Sequence, residues 1–437
     1  MPLKENTDIS RCRRATDIYL LVMLSAFPVF TGFSGYLYLH LKKYVFFAVA
    51  TLLWGVYLLQ ETVRRAMRGE QFSRPRLPEL LMLLFMTAAT ISTVCSQYAG
   101  FLTLGERYDG LLTHLLYGCA FLGVFRYGQM DRRKQNGFAA AYAICCLIAL
   151  MQLLGRNALW LFPDKMNYYD PIVQETARFL GTVGNIDILS AYHCLAIPLL
   201  CSAVYREKSS RRRALLFGTI LLGLVCQICA GVSSGLLAVT LTAAIFLAPA
   251  CAEIYYARKG RNAPGLTRYS GLIFIFAMTA LVYFWPHASG TIYELQRVLH
   301  GELREEFGSH RLLIWRETFA VIREHPLLGV GPDSLQYYLD ITFERYSPLL
   351  GETLYSTVDN AHNEYLQALA SFGVSGALPL LALLFYTAER FRRGSVRNPF
   401  AACMVCYLIQ AFFNVGLSIV TPMFFVIWAL ALRSADS

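Results

Sequence analysis

Runs of about 20 mostly apolar residues, each long enough to cross roughly 30 Å of hydrocarbon as a helix, recur along nearly the whole 437-residue chain. Inside a bilayer every backbone N–H and C=O must be satisfied within the spanning structure, so runs of this length read as helices. Twelve are predicted, at 17–39, 44–62, 78–95, 108–125, 136–154, 186–204, 214–230, 234–252, 269–285, 363–387, 400–415 and 419–433. The seventh and eighth are joined only by "GVSSG", which leaves a re-entrant pair as the alternative there. With 56% apolar and only 16% charged residues, the chain is too poor in charge for a set of water-facing domains. The expected fold class is an all-α polytopic membrane protein with about 12 transmembrane helices.

Loop charge sets the expected orientation. Lys and Arg near span ends are retained on the cytoplasmic side, and an inside N-terminus places 27 of the 39 there. Both termini are then cytoplasmic, and this bias accounts for most of the formal charge of +10. The clusters "RCRR", "RRR" and "RKGR" are short and separated by spans, so they read as topogenic loops and no nucleic-acid partner is expected. The first apolar run lacks a small-residue cleavage site and is expected to stay as an anchor. The 12 cysteines lie almost entirely in spans, which argues against a disulfide framework. The pairs Cys226 with Cys229 and Cys403 with Cys406 read as packing residues, because no further ligands stand near them in sequence.

Two loops are long, 155–185 and 286–362, and both fall on the outer side. The expected organisation is helices 1–9 with the shorter outer loop over 1–285, a large helical extracytoplasmic loop between helices 9 and 10 over 286–362, and helices 10–12 over 363–437. In the large loop, Ile292, Leu295, Val298, Leu299 and Leu303 recur at helical spacing, as in a helix lying on the bilayer or against the bundle. A second helix, "RLLIWRETFAVIREH", should end before Pro326, and a third should start near Pro332.

The span interiors hold almost no charge, which argues against an ion-coupled transporter and towards work at the outer interface. Arg178, Arg311 and His362 stand out there. Guanidinium forks suit phosphate, and imidazole can take a proton from a hydroxyl near neutral pH. Each also has a plainer reading: the arginines as interfacial anchors, His362 as a helix-start residue, and Asp359 or Asn360 as a helix cap.

"RLLIWRETFAVIREHPLLGVGPDSL", followed by "AHNEYLQALASFGVSGALPLLALL", resembles the signature region of the O-antigen ligase and O-antigen polymerase superfamily, which includes bacterial protein O-oligosaccharyltransferases. The resemblance rests on Arg311, Trp315 four residues on, the turn His325, Pro326, Gly329 and Gly331, and the pair His362 and Asn363. A weaker match is "RFLGTVGNIDILSAY": Arg178, Gly181, Gly184 and Asn185 agree, while Ile186 and Asp187 replace the usual Pro and Asn. The resemblance implies an inverting, metal-independent glycosyltransferase of the inner membrane. It would move a glycan from an undecaprenyl-pyrophosphate carrier to a glycan, lipid or protein acceptor on the outer face, with the bilayer itself as a partner and no cofactor. It implies catalytic roles for His362, Arg311 and Arg178, and substrate contacts for Asn363, Trp315, Asn185 and Asp359. Asp359 would orient the imidazole if its turn were helical. A repeat-unit polymerase shares the signature, and a flippase for lipid-linked oligosaccharide is the reading from another class.

Overall fold

The computed structural model describes residues 7–33, 35–36, 38–98, 107–161, 180–262, 264–347, 352–393 and 400–436. The chain opens with α1 (Thr7–Leu21), which runs through a π-helical turn at Val22–Ala26 into α2 (Phe27–Val29). The first helix therefore starts and ends about ten residues earlier than its apolar run suggests. There follow α3 (Leu39–Met67), α4 (Leu77–Cys95), α5 (Leu111–Tyr127), α6 (Arg132–Leu153), α7 (Ile186–Arg206), α8 (Ser210–Ala230), α9 (Ser233–Arg258) and α10 (Ser270–Phe284). Two helices sit outside the apolar runs, α11 (Gly290–Leu299) and α12 (Phe307–Glu324). The chain then returns through α13 (Glu364–Arg393), α14 (Ala401–Ala411) and α15 (Thr421–Asp436).

Seven of these helices are long and apolar enough to cross a membrane, and four shorter apolar helices lie at other predicted spans. The protein is thus a largely helical, multi-pass membrane protein. The "GVSSG" segment separates two helices, each long and apolar enough to cross a membrane: Gly231 takes a left-handed backbone after α8, and α9 restarts at Ser233. One large core joins α1, α3 to α8 and α13 to α15, with Tyr142, Tyr192, Phe121 and Tyr407 fully buried in it.

The expected third loop helix near Pro332 does not form. A single 3-10 turn at Leu335–Tyr337 is followed by a hairpin of β1 (Thr342–Ser347) and β2 (Glu352–Thr357), paired antiparallel with Thr342 opposite Thr357. The correction is confined to this loop, and the fold as a whole stays mostly helical. The cause is local: "TFERYS" and "ETLYST" are rich in β-branched and aromatic residues and flank Pro348 and Gly351. The loop has its own apolar core, in which Ile314, Val321 and Ile322 of α12 meet Val330, Leu335, Ile341, Val358 and Ala370.

Candidate active site

The backbone of the loop is fastened to a break in a span. Helix α12 ends at Glu324, two residues before Pro326, and residues 326–331 fold onto α13 where Gly373 takes φ 58° and interrupts the helix. Val330 N donates to Ala370 O (2.8 Å) and Gly331 N to Ser371 O (2.9 Å); in return Val374 N donates to Pro326 O (2.9 Å) and Ser375 N to Leu327 O (3.1 Å). The approach leaves no room for a side chain. A Cβ on Gly329, itself at φ 68°, would stand 2.4 Å from Ala370 O, and one on Gly373 would stand 2.4 Å from Leu327 C and O. Ser92 of α4 also donates to Ser371 O at 2.8 Å, tying a second span to the junction.

This junction carries α12 across the N-terminus of α13, so that Arg311 and His362 share one site. Three left-handed residues, Gly308, Ser309 and His310, precede the regular helix, which begins at Arg311. The Gly308 peptide is held from both sides: its N–H donates to Glu294 of α11 (3.1 Å), and its carbonyl accepts from Arg311 Nη1 (2.7 Å). Helix α11 has no buried residue, and Gln296 Nε2 pins it by donating to Val282, Tyr283 and Trp285 carbonyls at the end of α10.

His362 sits in a turn rather than in a helix, with φ 47°. Its N–H donates to Asn360 Oδ1 (2.8 Å), and Asn363 Oδ1 caps α13 by accepting from Tyr365 N (3.0 Å) and Leu366 N (3.1 Å). Asp359 does not orient the imidazole through a helical turn as expected, because residues 358–363 are not helical. Its carboxylate instead forms a two-pronged ion pair with Arg107, from the loop between α4 and α5, at 2.6 Å for Nη2. Asn360 Nδ2 also donates to it at 2.6 Å.

The electrostatics follow from this packing. Burial pushes the His362 imidazole down to about 4, with Arg107 and Arg311 adding to the push and Asp359 opposing it, so the ring is neutral at pH 7. Burial also lowers Arg311, against Asp187 and Glu294, yet a guanidinium remains cationic. Burial raises the Asp359 carboxyl, but Arg107 outweighs it and holds the group below the usual range. Asp109 is raised well above that range by burial and by Asp333 and Glu364, with Arg107 opposing. Two N–H groups at the site have no partner among the described residues, Arg311 Nε and Trp315 Nε1, one helical turn apart.

Residues 218–381 match the family model for O-antigen ligases. Over those residues the chain is similar to O-antigen ligases. No curated protein matches the chain. The ligase segment contains Arg311, Trp315, Asp359, His362 and Asn363, and the geometry above brings all five to one end of α13. Arg178 lies outside the described residues. Asn185 caps α7, accepting from Asp187 N (2.8 Å) and Ile188 N (3.1 Å). Asp187 O accepts in turn from Asn414 Nδ2 at 3.0 Å, which ties the α7 terminus to the stretch that follows α14. The Trp315 ring packs against Phe412 at 5.4 Å and Phe413 at 6.2 Å. Tyr337 and Tyr338 pack on Tyr98, whereas Phe319 and Tyr346 are exposed.

Arg107 and Asp109, which flank Tyr108 in a short loop outside the ligase segment, were not among the residues expected from the sequence. Their signal was present: "GERYDG" sets three charged residues together at the edge of a predicted span. Glu364 turns away from His362 into the bundle, where Tyr407 Oη donates to it at 3.0 Å. Among the described residues no group of three His, Cys, Asp or Glu side chains is placed to hold a metal ion.

Proposed function

We propose that the protein transfers a glycan from undecaprenyl pyrophosphate to an acceptor hydroxyl on the outer face of the cytoplasmic membrane. The observation that carries this reading is the pairing of a neutral His362 with a guanidinium, Arg311, whose Nε, like the Nε1 of Trp315 beside it, has no partner among the described residues. A base beside an arginine with a donor to spare is what glycosyl transfer from a pyrophosphate asks of a site.

In this mechanism the acceptor hydroxyl lies against His362, which takes its proton as the oxygen attacks the anomeric carbon. The bond from that carbon to the pyrophosphate oxygen breaks on the opposite face, so the configuration inverts. Arg311, together with Arg178, which is assigned on the family resemblance, stabilises the charge that grows on the leaving pyrophosphate. These cations serve where a divalent metal would otherwise stand. Protonated His362 then passes its proton to water. Arg107 positions the site by holding Asp359, and Glu294 positions Arg311 through the Gly308 peptide. Ligation of a finished chain and joining of repeat units share this chemistry and differ in the acceptor.

The test is transfer in liposomes loaded with lipid-pyrophosphate glycan, wild type against Arg311→Ala, with products weighed by mass spectrometry. Acceptor-linked glycan from wild type and its loss in the variant support the reading, and the product mass separates ligation from polymerisation. Donor that changes leaflet with no product formed would sink it in favour of a flippase.

A further inference from the structure

A cavity of about 1010 Å³ opens between α7, α8 and α9, at the end of the bundle away from the candidate site. Helix α7 carries Asp187, within the field of Arg311, in its first turn and Arg206 in its last. Its 21 residues separate the two by about 30 Å at 1.5 Å per residue. The arginine end of the cavity is therefore no part of the transfer site.

Its shape has a cause in the sequence. Pro198 lies inside α7 and Pro249 inside α9, and both line the cavity. Each lacks the N–H that would close its turn and presses its ring on the turn before, which disfavours regular close packing at that level. The space so opened is walled by Ile197, Leu224, Val239 and Phe246. At its mouth stand Arg206, Arg258 and Arg261 against a single carboxylate, Glu253. Helices α7 and α9 run parallel, because α8 returns between them, and this is why their C-terminal arginines meet at one end.

We propose that this cavity binds an anionic phospholipid, with the phosphate among the three arginines and an acyl chain along the apolar wall that holds the two prolines. The two halves of the site select different parts of the ligand. A guanidinium cluster between spans is a phosphate-headgroup site, whereas a long apolar wall offers a small hydrophilic anion nothing. The volume stands at the top of the usual range of about 300–1,000 Å³ for small-molecule sites, far more than a free phosphate fills. A zwitterionic lipid would bring a second cation to a mouth that is already positive.

The experiment is native mass spectrometry of the full chain with phosphatidylglycerol or phosphatidylcholine of identical acyl chains. Wild type should retain phosphatidylglycerol about tenfold better. The double variant Arg258→Gln with Arg261→Gln should lose that preference while keeping its thermal transition. Ala250→Trp, which fills the wall, should lose phosphatidylglycerol with the arginines intact; if that variant misfolds, the arginine pair decides alone. Inorganic phosphate in excess should not displace the lipid. Equal retention of both lipids, a preference that survives in the double variant, or displacement by inorganic phosphate would each overturn the proposal.

Discussion

The same stretch of ligase-family sequence builds two regions that differ in how their polar groups are used. At the junction of residues 326–331 with α13, four backbone hydrogen bonds of 2.8–3.1 Å join two broken segments, and the glycines exclude side chains. At the site a few residues away, Arg311 Nε and Trp315 Nε1 are buried without partners among the described residues, and a histidine is held neutral between two guanidiniums. The first region is satisfied and rigid; the second is left unsatisfied on a rigid support. A buried donor with no partner costs about 1–3 kcal/mol, so it persists where a ligand can take its place. The contrast teaches that the glycines of the motif hold the frame, which leaves its Arg, Trp and His as the side chains we propose to meet the ligand.

Substitutions test that division. The largest effect is expected at His362: His362→Ala should cut transfer about 100-fold or more with little change in thermal stability. Arg311→Ala should follow, with about a 100-fold loss of turnover, as for removal of one donor to a developing anion. A stability loss in either that matched the loss of activity would erase the distinction between frame and site.

On the frame side, Gly329→Ala should destabilise by about 2 kcal/mol or more, since it adds a clash to a left-handed backbone. Thermal unfolding in nanodiscs reads this, and an unchanged transition would mean the junction is looser than its geometry. Asn363→Ala should have the smallest effect on folding, about 1 kcal/mol, by removing the cap of α13.

The Arg107 ion pair sharpens the comparison through pH. His362 works neutral, so with its pKa pushed to about 4 the acid limb of the rate profile should lie near that value. Arg107→Gln removes a cation that disfavours imidazolium and releases the Asp359 carboxylate that favours it. Both changes raise the pKa, so the acid limb should move upward toward the ordinary histidine range. A limb that stays in place, or moves down, would show that Arg107 does not govern the imidazole.

The features legible in the sequence were those set by period and punctuation. Apolar runs announced the spans, and Pro326 announced the end of α12, because both signals act within one segment of chain. Arg311, Trp315 and His362 were legible as a motif. Their meeting was not, because it depends on Gly373 breaking α13 so that the turn can dock there, through hydrogen bonds such as Val374 N to Pro326 O that join distant parts of the chain. The partner of Arg107 was not legible for the same reason, since it pairs with Asp359 across 252 residues. The hairpin at 342–357 carries its own signal, β-branched and aromatic residues flanking Pro348 and Gly351, in a stretch beyond the helix expected from Pro332.

The central claim is that His362 acts on the reaction rather than on the fold or the donor. Donor affinity and single-turnover transfer measured on one preparation of His362→Ala test it most directly. The account predicts donor affinity within about threefold of wild type and transfer reduced about 100-fold or more. Transfer close to wild type, or a loss of donor affinity large enough to explain the whole defect, would contradict it.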